Sequence, residues 1–478
     1  MSTPRLLIGG LLVEGAQTMT VINPATEEPV ATAPRVDARQ INEAVAAAKA
    51  ALPGWAARPI DDRREMLLKV AAVIDTNAEE LARLLTQEQG KPLAMAKREV
   101  AGLSAFFRYA TKLNLAPRVL EDSPNRRVEL HRRPLGVVAA IIPWNFPLLL
   151  LGTKLPTALL AGNTVVVKPA ATTPLSTLRL GELLVDVVPP GVLNVIADAN
   201  DLGDVLTRHP DVRKVSFTGS TATGVRVMTC AAETLKRVTL ELGGNDAAIV
   251  LDDVDPGLVA PGLFMAAFIN SGQACIAIKR LYVHEKIYDS LVVELSKLAN
   301  AAVVGDGLAE GTTLGPLQNR AQYEKVKDIL DEARKLGTVV AGGMVENRSG
   351  FFIRPTIVRD IAEGSRLVDE EQFGPVLPVI KYTDVQDAVR RANASPYGLG
   401  GSVWSADTDR ALSVASQLEC GTAWINKHCE LLPNVPLGGA KCSGMGLELA
   451  EEGLAEFTQV QVLSVGKTPA EAQPRAAS

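Results

Sequence analysis

Apolar and polar positions change period repeatedly along the chain. In VDARQINEAVAAAKAAL (36–52) apolar residues recur three and four apart, which predicts an amphipathic helix, with Asp37 and Gln40 placed as a capping box. A longer helical pattern covers 59–85, and GKP at 90–92 breaks it. From 136 the chain alternates strand and helix: GVVAAII, PLLLLGTKLPTALLAG, NTVVVKP, PLSTLRLGELLVDVV, GVLNVI, DLGDVLTRH, VRKVSFTG, STATGVRVMTCAAET, KRVTLEL. Unbroken Val/Ile runs between helices predict a parallel sheet covered on both faces, because strands buried on both sides lose the apolar–polar alternation. A second such series runs from AAIVL (247–251) to GTAWIN (421–426), so two α/β domains are expected in tandem with a boundary near 243–246.

Two segments fit neither series. RRVELHRRP (126–134) and FTQVQVLSV (457–465) alternate with period two, like strands open on both faces. Distant strands of this kind are expected to pair into a protruding ribbon whose edge is a template for a second subunit; the other reading is a surface hairpin on a monomer.

Composition narrows the class. A chain of 478 residues is too long for one ordinary core, and 47% hydrophobic with 22% charged residues is normal for a globular protein. A net charge of −5 without a basic block argues against nucleic acid as a partner. MSTPRLLIGGLLVEG at the N-terminus does not read as a secretory leader, and no apolar run reaches the roughly 18 residues of a membrane span. Cys230, Cys275, Cys420, Cys429 and Cys442 form no CxxC pair, and the four histidines are scattered, so no metal site is expected. The odd thiol count suggests reduced cysteines and a cytoplasmic protein. Residues 467–478 read as a frayed tail.

Several short stretches carry candidate chemistry. SFTGSTATG (216–224) joins a strand to a helix, and Gly219, Ser220 and Gly224 sit where free N–H groups of a helix start can meet a phosphate. Its spacing is not GxGxxG, and glycine at such a turn is commonly turn chemistry alone. Lys168 ends the strand NTVVVKP, at the strand end where ligands bind in parallel sheets. Cys275 follows Gly272 and Gln273 in a small-residue turn after a helix, where backbone N–H groups would favour thiolate; a buried inert thiol is the other reading. Glu241 closes an apolar strand before Gly243 and Gly244, a setting that raises a carboxyl pKa toward that of a general base. Asn145 stands between Pro143 and Pro147, which stiffen the backbone around an amide able to donate to a developing oxyanion.

Taken together, PWNFP, VVVKPA, FTGSTATG, LELGG, SGQAC, EEQFGPV (370–376) and VPLGGAKCSGMG (435–446) resemble, in order, the motifs of the NAD(P)-dependent aldehyde dehydrogenase superfamily, over roughly 20–465. The resemblance implies an α/β fold with a Rossmann-type parallel-sheet cofactor domain, a second α/β catalytic domain and a small β-ribbon for oligomerisation. It implies a division into 1–121 and 144–244 for the cofactor, 245–440 for catalysis, and 122–143 with 441–478 as bridging and oligomerisation segments. The implied partners are a small aldehyde and a second copy of the chain, as homodimer or homotetramer.

Roles carry over position by position. Cys275 would attack the aldehyde, Asn145 and the Cys275 N–H would hold the oxyanion, Glu241 would activate water, and Lys154 would assist proton relay. Trp144, Lys168, Gly219, Ser220, Gly224, Leu242, Glu371 and Phe373 would line the NAD or NADP site. The glutamate at 241 favours hydrolysis to the free acid over transfer to coenzyme A. The place three residues after Lys168, acidic in NAD-preferring relatives, is Ala171, so NADP is expected to be usable. Thr153 stands where semialdehyde-oxidising relatives carry an arginine, so a non-acidic aliphatic or simple aromatic aldehyde is expected. Leu150, Thr153, Ile269 and Ile276 would line the entrance, and His428, with Cys429 and Glu430, the outer mouth; core packing is the other reading of the apolar residues.

Overall fold

The computed structural model describes residues 3–344 and 348–467, so most of the tail expected at 467–478 lies outside the described residues. Among the described residues, eight strands form the first sheet, in the order Leu11–Val13, Leu6–Ile8, Leu193–Val195, Thr164–Lys168, Val137–Ile141, Val212–Thr218, Arg237–Glu241 and Gly444–Met445. The five from Leu193–Val195 to Arg237–Glu241 are parallel. Their order reverses between Val137–Ile141 and Val212–Thr218. That reversal is the topological switch point of an open α/β sheet, and a crevice must open there because flanking helices leave on opposite faces.

The second sheet has seven strands, in the order Thr338–Ala341, Thr356–Arg359, Val376–Tyr382, Ile278–His284, Asp246–Val250, Gly400–Trp404 and Thr422–Ile425. Along Asp246–Val250, Ala247 and Ile249 enter one apolar cluster while Ala248 and Val250 enter another on the opposite face. Both faces are therefore covered, as the unbroken apolar runs predict. The chain passes between the sheets at 242–245.

The ribbon forms. Thr458–Gly466 pairs antiparallel with Arg126–Pro134, Thr458 opposite Pro134, and a third strand, Arg118–Asp122, joins its other side. The segments assigned to bridging are shorter than their sequence limits. Val137–Ile141, inside 122–143, is fully buried and central in the first sheet, while Gly444–Met445 closes that sheet's edge. An apolar strand is held by burial on both faces, whatever its neighbours in sequence do.

Three local expectations change. The Asp37 side chain accepts from Gln40 N at 2.8 Å, but Gln40 Oε1 accepts from Ala16 N at 2.8 Å instead of from the cap N–H, so only half of the capping box exists. The 59–85 helix is two helices, Ile60–Thr76 and Ala78–Gln89, because the Asn77 side chain donates to Val73 O at 2.7 Å and competes with the helical ladder. PLLLLGTKLPTALLAG also divides, into Pro147–Gly152 and Leu155–Leu160. Pro156 lacks an N–H and its ring clashes with the carbonyl four residues back, and the break sets Lys154 between the two helices. Among the described residues no helix is long and apolar enough to cross a membrane.

Candidate active site

The crevice at the switch point is a cavity of about 510 Å³. Its walls include Ile141, Trp144, Lys168, Asn200, Phe217, Gly219, Ser220 and Arg226. Ser220 caps the helix Thr221–Ala232, its hydroxyl accepting from Thr223 N at 3.3 Å, so a helix start faces the crevice. Gly219 is needed there, since a Cβ would lie 2.5 Å from the Phe217 ring. Gly224 instead meets the Leu242 side chain and holds the helix against the LELGG turn. A crevice at this position, with a helix start and a glycine at the phosphate position, fits a dinucleotide.

Pro143, Trp144, Thr218, Gly219 and Ser220 also line a second cavity, of about 180 Å³, which contains Asn145, Leu242, Gly243, Cys275, Glu371 and Phe373. The two spaces share a wall. Cys275 reaches this cavity through a strained turn in which Asn270, Ser271 and Gly272 have φ of 51°, 56° and 74°. Gly272 packs so closely that a Cβ would sit 2.2 Å from Gly374 O. The Cys275 N–H has no hydrogen-bond partner among the described residues. Burial pushes the Cys275 thiol up to about 12; Lys279 pulls it down, while Glu371, Glu241 and Asp246 add to the rise. The free N–H groups expected to favour thiolate are thus outweighed here by desolvation.

Asn145 is fixed from both ends. Its amide donates to Gln273 O at 3.0 Å, and its carbonyl accepts from Asn270 Nδ2 at 2.9 Å and from Lys91 Nζ at 2.8 Å. Lys91 is fully buried and paired with Glu99, whose other oxygen accepts from Leu148 N at 2.9 Å at the start of the Pro147 helix. Sequence reading took GKP as a helix stop and missed this support. A lysine in a turn motif carries no signal of burial.

Glu241 is buried, its Oε1 lacks a hydrogen-bond partner, and its pKa is raised well above the carboxylate range, by burial first and by Glu448 second, with Lys154 opposing. Lys154 is also buried, ion-paired with Glu448 and donating to Thr218 Oγ1 at 2.6 Å. Glu448 additionally accepts from Thr153 and from Ser216 Oγ at 3.2 Å. This acid, outside every motif read from sequence, organises the polar network beside Glu241. The VPLGGAKCSGMG segment closes over LELGG: Leu242 N donates to Ser443 O at 2.9 Å and Ser443 Oγ to Gly243 O at 2.7 Å.

Glu371 Oε1 accepts from Gly244 N at 3.0 Å, and Trp144 and Phe373 meet edge to face at 5.3 Å. Lys325 donates to Glu371 O at 2.7 Å and Gln322 to Phe373 O at 3.0 Å, which hold the EEQFG turn; both line the cavity and neither was anticipated. Lys168 Nζ lies 2.6 Å from Asp198 Oδ1, so a carboxylate does stand beside this lysine, supplied by a different strand end from the one expected.

The entrance residues divide. Ile276 packs with Leu399 and Trp424 in a small apolar cluster that Cys275 and Cys429 also touch. Ile269 is half-buried at the start of the nucleophile turn. Leu150 belongs to the main core, and Thr153 is fully buried and bonded to Glu448, so Thr153 lines no entrance. The His428 ring is enclosed, with Nε2 3.4 Å from Asp246 Oδ2 and the Trp424 ring at 4.8 Å, and does not form the rim of the mouth. Among the described residues no His, Cys, Asp and Glu group could hold a metal ion.

A switch-point crevice on one α/β domain, sharing a wall with a thiol-bearing cavity at a second, defines a two-domain dinucleotide-dependent oxidoreductase. The chain belongs to the aldehyde dehydrogenase family, whose model matches residues 12–463. It is 40% identical to a mitochondrial aldehyde dehydrogenase of Leishmania tarentolae, covering 96% of this chain and 94% of that protein. It is also 40% identical to a phenylacetaldehyde dehydrogenase of Pseudomonas fluorescens, covering 96% and 95%. The NAD+ complex of an aldehyde dehydrogenase from Bacillus cereus superposes with a TM-score of 0.95 at 35% identity, covering 98% of this chain and 97% of that one. The protein is an NAD(P)-dependent enzyme that oxidises an aldehyde to a carboxylic acid.

Proposed function

We propose that Cys275 is the nucleophile of this oxidation and that the substrate is a non-acidic aliphatic or simple aromatic aldehyde. The observation that carries the reading is the shared wall: the thiol and the Asn145 amide line a cavity that has Pro143, Trp144, Thr218, Gly219 and Ser220 in common with the cofactor crevice. The Cys275 sulfur adds to the carbonyl carbon as its proton passes through water to Glu241, once ionised, and on to solvent. The resulting oxyanion accepts from the Asn145 amide and the Cys275 N–H, which are most useful where charge develops. Bound NAD(P) supplies the hydride acceptor. Loss of hydride leaves a thioester on Cys275, and Glu241, once ionised, takes a proton from water as it attacks. The acid departs and the thiol returns. Lys154 and Glu448 hold the polar network behind Glu241. Trp144, Lys168, Gly219, Ser220, Gly224, Leu242, Glu371 and Phe373 are the proposed cofactor contacts.

The substrate class rests on the apolar cluster of Ile276, Leu399 and Trp424 against which Cys275 packs. An aryl or alkyl chain is better matched there than a carboxylate, which would be desolvated without a partner. The Pseudomonas relative is a phenylacetaldehyde dehydrogenase by name, in keeping with this class. Val460, Val462 and Val465 are exposed along the outer ribbon strand, which supports a homodimer or homotetramer built on that edge. The deciding experiment is an aldehyde panel without coenzyme A, followed by reduced-nicotinamide absorbance and product analysis. Free acid from alkyl or aryl aldehydes is expected. A requirement for coenzyme A, or turnover confined to semialdehydes, would overturn the reading.

A further inference from the structure

The crevice has two ends of different character. One opens on the thiol cavity through Trp144 and Gly219, and the helix start at Ser220 lies beside it. The other is lined by Lys168, Asn200, Asp201, Asp204 and Arg226. A dinucleotide with its reactive ring near the thiol and its phosphates at the helix start brings its second ribose to this far end. NAD+ carries a 2′-hydroxyl there, and NADP+ a phosphate of about −1.5 to −2 charges near neutral pH.

Lys168 is the cation a 2′-phosphate would be expected to use, and it is already engaged. Its Nζ is 2.6 Å from Asp198 Oδ1 and 3.4 Å from Asn200 Oδ1, and the two charged side chains are 6% and 1% exposed. The carboxylate is locked: Oδ1 also accepts from Asn200 N at 3.1 Å, and Oδ2 from Leu202 N at 3.0 Å. Asn200 in turn accepts from Ala171 N at 3.3 Å, so the turn after one strand is clasped to the position where an acid is missing after its neighbour. Charges this deeply buried are little screened by salt. A phosphate placed at Lys168 therefore meets a neutral pair with Asp198 immediately behind it. Of the remaining lining charges, Asp201 is paired with Arg35, Asp204 has no ion-pair partner among the described residues, and Arg226 is a solvent-exposed cation on the opposite helix.

We propose that Asp198 sets the cofactor preference of this enzyme, favouring NAD+ over NADP+ by neutralising Lys168 from beneath. A ribose hydroxyl loses nothing by that neutralisation and can donate to the Asn200 side chain. NADP+ still binds, with lower affinity. The inference rests on the dinucleotide occupying this crevice.

Binding is read without turnover, by quenching of tryptophan fluorescence on titration with NAD+ or NADP+; Trp144 lies on the crevice wall. The parent enzyme is expected to bind NAD+ at least about tenfold more tightly. Asp198→Asn removes the charge and keeps one acceptor oxygen for the Asn200 and Leu202 N–H groups, which now use separate carboxylate oxygens. In it the NADP+/NAD+ ratio of Kd is expected to narrow at least about fivefold, with NAD+ binding retained as proof of folding. Asp198→Ser is the second neutral variant. Equal Kd values in the parent, or a ratio unmoved in a variant that still binds NAD+, overturn the proposal. If neither variant folds, the parent ratio alone decides. Absence of any NAD+ binding would strike the assignment of the crevice itself, a result distinct from equal binding of both cofactors.

Discussion

The side-chain amide of Asn145 donates to the carbonyl of Gln273 at 3.0 Å, which ties the PWNFP turn of one domain to the turn two residues before Cys275 in the other. One amide hydrogen is thereby spent on orientation and the second is left for an oxyanion. Asn145→Ala is expected to lower kcat by roughly 100- to 1000-fold, the usual loss on removing one such donor. A fall under about threefold in steady-state turnover would refute the role.

Cys275 shares its cavity with Trp144, Gly219, Ser220, Leu242, Glu371 and Phe373, and truncating the thiol to a methyl leaves all of these side chains in place. Cys275→Ala is expected to abolish turnover and to retain NAD+ binding by fluorescence titration. Measurable oxidation of any aldehyde by this variant would exclude a covalent route through that sulfur.

Glu241 should reveal its raised pKa twice. As a base it works only when ionised, so thioester hydrolysis is expected to rise with pH through a midpoint well above the ordinary glutamate value of 4.5. In stability the sign reverses. A carboxyl whose pKa is higher folded than unfolded contributes fully below the unfolded pKa, and that contribution is lost as pH rises through the folded value. Glu241→Gln is therefore expected to hydrolyse acyl-enzyme slowly, with the acyl adduct visible by intact-mass spectrometry, and to melt higher than the parent at about pH 9. A variant that melts lower at that pH would contradict the burial of an unpaired carboxylate.

Gly272 combines a φ of 74° with a Cβ position 2.2 Å from the Gly374 carbonyl oxygen. No side chain can move aside there, since the obstacle is backbone. Gly272→Ala is expected to cost at least about 1–3 kcal/mol in urea unfolding from backbone strain alone. Loss of alkylation at Cys275 should accompany it, read by labelling with a thiol reagent.

Lys91 pairs with Glu99 in full burial and donates to the Asn145 carbonyl at 2.8 Å. Removing one member of a buried pair leaves the other charge uncompensated, so Lys91→Met is expected to lose about 3–5 kcal/mol of stability. Because the Asn145 turn loosens too, kcat should fall more than KM changes. A stable variant with parental kcat would remove Lys91 from the support of the oxyanion site.

Much of this protein was legible without coordinates. The Val/Ile runs fixed two covered parallel sheets, because only strands buried on both faces lose alternation. The 126–134 and 457–465 segments announced a ribbon for the converse reason. Cys275, Asn145, Trp144, Leu242, Glu371 and Phe373 stood in recognisable turns and converge on one cavity.

What sequence could not supply were partners contributed from far along the chain. Glu448 reaches Lys154 and Thr153 from nearly 300 residues away, Lys91 reaches Asn145, and Asp198 reaches Lys168 from the neighbouring strand end. The resemblance assigned Thr153 and His428 to the substrate path; a matched position gives a residue's element but not the direction of its burial. Periodicity and turn chemistry are local properties written into consecutive residues. Charge pairing, desolvation and the sharing of a cavity wall arise only when distant segments meet, and here they decide how each reactive group is tuned.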